Sequence, residues 1–289
     1  MNKNFGLMGV AGFIAPKHLE AISATKNNLL ISLDPHDSVG VLDKFFPESL
    51  FFKNEKDFIK SPLLKKLDFI SVCTPNYLHK SHIHLALSNN INCICEKPLV
   101  LNLDELYDLI KWEEKYKRRV YPILQLRLDP EIISFKKEVE DNPTKFYDID
   151  LNYVTTRGDW YFKSWKGDDS LSGGILMNIG VHFFDILCWV FGEVTNYTVD
   201  IQTDSTWSGH LEFKNAKIKW LLSIDSEYLP KSYPNKVYKI MTINNKSKIK
   251  FSVSNLHTKM YDKILEGNGF TLSDILPTII LIDKIKNKK

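Results

Sequence analysis

The 289 residues are 44% hydrophobic and 25% charged, with a net charge of +3. That balance suits a globular chain with a sizeable core, and the length exceeds the usual single domain, so two domains are expected. So mild a charge leaves no footprint for nucleic acid, and the absence of a long apolar run or an apolar leader argues against a membrane and for a cytoplasmic protein.

Asn4 to Val10 reads as a short strand ending in Gly9-Val10-Ala11-Gly12-Phe13-Ile14-Ala15-Pro16. A helix from Pro16 to Thr25 follows, proline suiting its first turn. Strand, glycine turn and helix form the dinucleotide-binding arrangement. The glycines let the backbone approach a pyrophosphate, and the helix N-terminus favours its charge. The spacing is G-x-x-G-x-x-A, one residue longer than the usual fingerprint. Strand Leu29 to Leu33 ends at Asp34, about 20 residues past Gly12, where an acid binds the adenosine ribose. Its charge would repel a 2′-phosphate, so NAD is expected over NADP.

Residues 38–67 hold a short helix, a small strand at Leu50 to Phe52 and another short helix. Phe69 to Thr74 is a buried strand leading into Pro75-Asn76-Tyr77-Leu78-His79, and a helix carries the chain to Asn89. Strand Ile91 to Cys95 stops at Glu96-Lys97-Pro98, where Pro98 restricts Lys97 to an extended backbone. A helix from Asn102 to Lys117 and a strand from Val120 to Gln125 complete the alternation, which implies a doubly wound parallel sheet. Ligands sit beyond the carboxyl ends of such strands, so Lys97 is expected at the mouth of a crevice. By itself, Glu96-Lys97 reads more readily as a surface pair at a strand end. His82 and His84 point to different helix faces, and no metal site is expected. The four cysteines, Cys73, Cys93, Cys95 and Cys188, lie in apolar runs as buried free thiols do.

After Leu126 the grammar changes. A helix from Asp129 to Glu140 leads to a strand at Tyr147 to Thr155, with later strands at 194–203, 207–214, 216–225, 236–244 and 247–253. Short turns between them imply a largely antiparallel sheet, ended by helices at His257 to Glu266 and Thr271 to Asn287. The fold class is therefore α/β, with a Rossmann domain at 1–125 and a second, α+β domain at 126–289. Asn178, His182 and Asp185, at i, i+4 and i+7, would share one helix face. A polar face in an apolar segment costs free energy unless it meets partners or a ligand. The alternative is a buried histidine satisfied by Asp185.

The glycine loop, Glu96-Lys97-Pro98 and the Gly-x-His-x-x-Asp helix together resemble the glucose–fructose oxidoreductase / inositol dehydrogenase superfamily. A narrower resemblance lies in Gly9 to Pro16, Asp34 to Gly40, Gln125-Leu126-Arg127-Leu128 and Trp160 to Asp168. These segments are similar to bacterial UDP-N-acetylglucosaminuronate 3-dehydrogenases. The resemblance implies oxidation of the sugar C3 hydroxyl with NAD, ahead of transamination to a 3-amino sugar for O-antigen-type lipopolysaccharide. It implies 2-oxoglutarate as NADH oxidant in some members, a C-terminal substrate domain whose open sheet packs in oligomers, a homotetramer, and a cis bond before Pro98. Many superfamily members carry Asp where this chain has Asn178. Carried over by position, Gly9, Gly12, Phe13, Ile14, Asp34, Thr74, Asn76, His79, Glu96, Lys97, Gln125 and Trp165 would meet the cofactor.

The chemistry needs a group to take the hydroxyl proton. Lys97 and His182 are the candidates, approaching from the two domains; histidine is the better base near neutral pH, and an ammonium would favour developing alkoxide. A desolvated lysine could itself be the base, so the pair is assigned together. For the anionic substrate, Arg127, Arg157, Lys163 and Lys166 are expected contacts, with Lys97, Asn178 and His182 at the sugar. Two other functions fit the same motifs: a dehydrogenase of another sugar or cyclitol, and a catalytically silent sensor of NAD or sugar.

Overall fold

A computed structural model describes residues 2–231, 236–251 and 255–287. The chain forms two compact units, Met1–Gln125 with Asn255–Asp274, and Leu126–Ser254 with Ile275–Lys289. The second unit is therefore not the unbroken span 126–289, because the chain returns to the first unit after residue 254.

In the first unit the elements in order are β1 (Asn4–Met8), α1 (Ala15–Ala24), β2 (Asn28–Leu33), α2 (Val41–Phe45), β3 (Leu50–Phe52), α3 (Glu55–Lys60), β4 (Phe69–Val72), α4 (His79–Ser88), β5 (Asn92–Cys95), α5 (Leu103–Tyr116) and β6 (Val120–Pro122). The strands form one parallel sheet in the order β3-β2-β1-β4-β5-β6. Its central strands are buried on both faces, which explains their unbroken apolar runs. The order reverses between β1 and β4, the switch point at which open α/β sheets bind ligands. β6 stops at Pro122, and Gln125 opens a 3-10 turn instead of ending the strand.

In the second unit, α6 (Pro130–Asp141), β7 (Tyr147–Thr155), α7 (Asp169–Ser172), α8 (Val181–Phe191), β8 (Val194–Gln202), β9 (Thr206–Phe213), β10 (Ala216–Ser223), β11 (Val237–Ile243) and β12 (Ser247–Ile249) follow. The last helices are α9 (Leu256–Leu265), within the first unit, and α10 (Leu272–Lys286), which runs into the second. The sheet order is β12-β11-β7-β10-β9-β8, antiparallel except for β7 beside β10. β12 is shorter than the strand expected at 247–253, and residues 252–253 lie outside the described residues. One sheet face buries Tyr147, Ile149, Leu151, Ile218 and Trp220; the other exposes Asp148 and Asp150 opposite Lys217 and Lys219, opposite charges in register. On the apolar side Phe184 of α8 meets Trp220 edge-to-face at 5.3 Å. Gly180 permits this approach, since a Cβ there would lie 2.8 Å from Leu222 Cδ1. The stretch Asp169–Phe191 is apolar enough to cross a membrane by length and composition, but most of it is buried in the unit's core.

Candidate active site

The first unit builds a cradle from its glycines. Gly9 adopts φ +87, and a Cβ there would lie 2.7 Å from the backbone of Cys73 and Thr74. Gly12 is tight as well, its Cβ position lying 3.0 Å from the Gly9 carbonyl. Glycine therefore lets the β1–α1 turn lie against the end of β4. The N-terminus of α1 has no side-chain cap and no acid in its first turn, which leaves it suited to an anion. Phe13 stands 97% exposed at the tip of the turn.

Asp34 follows β2 with both oxygens engaged: Oδ2 accepts from Ala11 N–H at 3.0 Å and Oδ1 from His36 N–H at 3.0 Å. These bonds fix the carboxylate beside the glycine turn, and each oxygen keeps acceptor capacity for a ribose hydroxyl. Gln125 is buried, and its Oε1 has no hydrogen-bond donor among the described residues. Such an orphan acceptor is one a bound amide or hydroxyl would satisfy. The glycine cradle, uncapped helix, fixed acid and orphan acceptor fit a dinucleotide.

Two expected cofactor side chains do other work. His79 is buried, its Nδ1 lying 2.8 Å from the Pro98 carbonyl and its Nε2 2.8 Å from the Thr74 carbonyl. It ties the β4 loop to the loop after β5 instead of facing a ligand. Burial pulls the ring's pKa below its ordinary value, and the neutral ring donates to one of these carbonyls only. Thr74 Oγ1 pairs with His82 Nδ1 at 2.9 Å. Asn76 is buried at the start of the turn before α4.

Glu96 also turns inward. Its Oε1 accepts from His18 Nε2 at 3.0 Å and from His257 Nε2 at 2.8 Å, and its Oε2 accepts from the Lys97 N–H at 3.1 Å. Its side chain is thus part of the interior and leaves only its main chain for a cofactor. Tyr261 OH lies 2.7 Å from His18 Nδ1 and 2.6 Å from Ser71 Oγ. Burial opposes charge on Glu96, but the two histidine bonds outweigh it and hold the carboxyl well below its ordinary range. Burial lowers the pKa of His18. A neutral His18 then donates through Nε2 and accepts the Tyr261 proton at Nδ1. Sequence reading missed this cluster, although His18 occupies an otherwise apolar helix face with Ala15, Leu19 and Ile22, and His257 and Tyr261 lie one helical turn apart. His18, Glu96 and His257 are also close enough in space to share a cation, a possibility that spacing alone did not suggest. The Lys97–Pro98 bond is cis.

In the second unit the expected single helix face is interrupted. Gly173 and Gly174 take positive φ, Leu176–Gly180 forms a π turn, and α8 starts only at Val181. The wider π turn carries Asn178, whose Nδ2 is 3.5 Å from Tyr161 OH, while half-buried His182 sits in the first turn of α8. Turns of this kind gather at functional sites. Asp185 is taken by Arg127, whose Nε and Nη2 reach its two oxygens at 2.9 and 2.7 Å, and by Thr278 Oγ1 at 3.3 Å. Arg127 is 3% exposed and stacks 5.6 Å over Trp189. Its guanidinium therefore closes a buried ion pair and is not placed to receive a substrate anion, contrary to expectation.

The loop between β7 and α7 carries the remaining cations. Arg157 and Lys163 are exposed, whereas Lys166 is half-buried with its Nζ 5.6 Å from the ring centres of both Trp160 and Trp165. Trp165 is thus engaged with Lys166. Burial, then the charge of Arg157, pulls the Lys166 ammonium below its ordinary pKa. An anion beside these two cations would reverse that repulsion. The loop is folded tightly: Ser164 Oγ donates to the Tyr161 carbonyl at 2.8 Å, and a Cβ on Gly167 would lie 2.6 Å from Phe162 Cα.

Comparison with known proteins agrees with this geometry. The family model described as "Oxidoreductase family, NAD-binding Rossmann fold" matches residues 3–123, and "Oxidoreductase family, C-terminal alpha/beta domain" matches 143–254. The WlbA (WbpB) dehydrogenase from Thermus thermophilus, solved with NAD and UDP-GlcNAcA and separately with NAD and alpha-ketoglutarate, is 37% identical over 100% of this chain and 96% of its own, with a TM-score of 0.93. Glucose-6-phosphate 3-dehydrogenase of Bacillus subtilis (strain 168) is 24% identical over 65% of this chain and 54% of its own. Inositol 2-dehydrogenase/D-chiro-inositol 3-dehydrogenase of Lactiplantibacillus plantarum is 28% identical over 47% and 39%. This chain spans well under two-thirds of the length of these two curated relatives. The first unit is an NAD-binding Rossmann domain.

Proposed function

We propose, because this chain belongs to the oxidoreductase family of the glucose–fructose oxidoreductase and inositol dehydrogenase type, that it oxidises the C3 hydroxyl of UDP-N-acetylglucosaminuronate to the 3-keto sugar. The observation that carries this reading is the full-length likeness, at 37% identity, to a dehydrogenase solved with NAD and UDP-GlcNAcA. NAD, when bound, supplies the hydride acceptor. His182 takes the hydroxyl proton, and the Lys97 ammonium holds the oxygen and favours its alkoxide character. Arg157, Lys163 and Lys166 bind the carboxylate and diphosphate. The reduced cofactor is recycled by 2-oxoglutarate, a reading supported by the alpha-ketoglutarate complex of the same relative. The reaction would take place in the cytoplasm, serve a 3-amino sugar of O-antigen type, and be carried out by a homotetramer.

A second reading, a dehydrogenase of another sugar or a cyclitol, is favoured by the glucose-6-phosphate and inositol dehydrogenases among its relatives. Incubation with NAD, 2-oxoglutarate and each of UDP-N-acetylglucosaminuronate, UDP-N-acetylglucosamine, glucose 6-phosphate and inositol separates the two. Mass spectrometry should find loss of two hydrogens from the uronate, and far slower change in UDP-N-acetylglucosamine, because a site built on cations loses binding when its anionic partner is missing. An intact uronate beside oxidised inositol or hexose would make the second reading the correct one.

A further inference from the structure

We propose that Glu96 is a positioning residue for Lys97, held in that task by His257 and His18; this rests on the role given to Lys97 above. The Glu96 carboxylate divides its work. Oε1 accepts two imidazole N–H groups, from His18 on α1 and His257 on α9, and Oε2 accepts the main-chain N–H of Lys97. All three residues are buried, with Glu96 4%, His257 6% and His18 0% exposed. A carboxylate gripped from two directions has little rotational freedom, so the Lys97 main chain inherits a fixed place at the end of β5. Tyr261 extends the grip by bonding both His18 and Ser71 of β4. His257 and Tyr261 lie within Asn255–Asp274, the segment that returns to the first unit. The returning helix thus sets the lysine without touching the reacting atoms.

The geometry makes the substitutions specific. In Glu96→Gln the amide oxygen can still accept from the histidines, but the amide nitrogen then faces the Lys97 N–H, donor against donor. His257→Leu removes one grip. His257→Gln returns an N–H at nearly the reach of Nε2. The holoenzyme is assayed with NAD and UDP-N-acetylglucosaminuronate in single turnover, beside NAD titration and thermal melting. Displacement of a catalytic group by about 1 Å costs on the order of 100-fold, so Glu96→Gln and His257→Leu should slow hydride transfer by at least about 10-fold while NAD affinity stays within about 2-fold. His257→Gln should recover most of the loss. Lys97→Ala is the reference for the lysine's full contribution; a normal rate in that variant would sink the role assigned to Lys97 and leave the second readout to judge its placement. That readout is the acylation rate of Lys97 by an activated ester, followed by peptide mass spectrometry, which needs no sugar. It should change in Glu96→Gln and His257→Leu but not at Lys163, and return in His257→Gln. Unchanged acylation, parallel loss of NAD affinity and melting temperature, or failure of His257→Gln to rescue would overturn the proposal. So would stoichiometric divalent metal in the native protein that disappears with His257→Leu, because His18, Glu96 and His257 would then be ligands.

Discussion

Arg127 and Lys166 show how residues of similar charge part company once folded. Both were expected at an anion. Arg127 is spent on Asp185 inside the second unit, while Lys166 is half-buried between two tryptophans beside Arg157. Removing one partner of a buried pair leaves an uncompensated charge, so Arg127→Met should lower stability by about 3–5 kcal/mol in denaturant unfolding. The folded fraction should keep its KM for the uronate. Lys166→Ala should instead raise that KM with little change in unfolding. A large KM effect from Arg127→Met with unchanged stability would return the arginine to the anion site. Sequence could not separate the two, because an arginine after a strand looks the same whether its carboxylate is a ligand's or lies 58 residues further along the chain.

At the scale of elements, the strands were legible because a doubly covered sheet demands unbroken apolar runs, as in Phe69–Val72. The glycine turn was legible because only glycine fits against the backbone of Cys73 and Thr74. The break between α7 and α8 was not, since periodicity carries no mark of a π turn. Nor was the burial of His18, His79 and His82 along α1 and α4. Desolvation lowers all three below the ordinary 6.5, so the folded chain holds them neutral where the unfolded chain takes up protons. The stability they contribute is then fully present above pH 6.5 and is lost as pH falls toward their folded values. Glu96, depressed in the fold, adds a second loss as pH falls below its ordinary value of 4.5. Melting temperature should accordingly fall from pH 7.5 to pH 5.5, by roughly 2–4 °C if about 1 kcal/mol is lost. A flat profile, or a rise toward acid, would mean that these imidazoles are charged in the fold.

For the whole molecule, composition indicated two domains and the motifs identified the Rossmann half, but nothing in the sequence marked the return of Asn255–Asp274 to the first unit. That return depends on contacts such as those of His257 with Glu96 and Tyr261 with Ser71, which join residues far apart in the chain. The substrate is a property of the assembled protein rather than of one motif. The direct measurement is single-turnover oxidation of UDP-N-acetylglucosaminuronate deuterated at C3, with NAD and the purified enzyme, read by mass spectrometry of the recovered cofactor. The deuterium should move to the nicotinamide and the sugar should leave as its 3-keto form. Cofactor that stays free of deuterium, while the same enzyme oxidises a different hydroxyl or a different sugar, would contradict oxidation at C3.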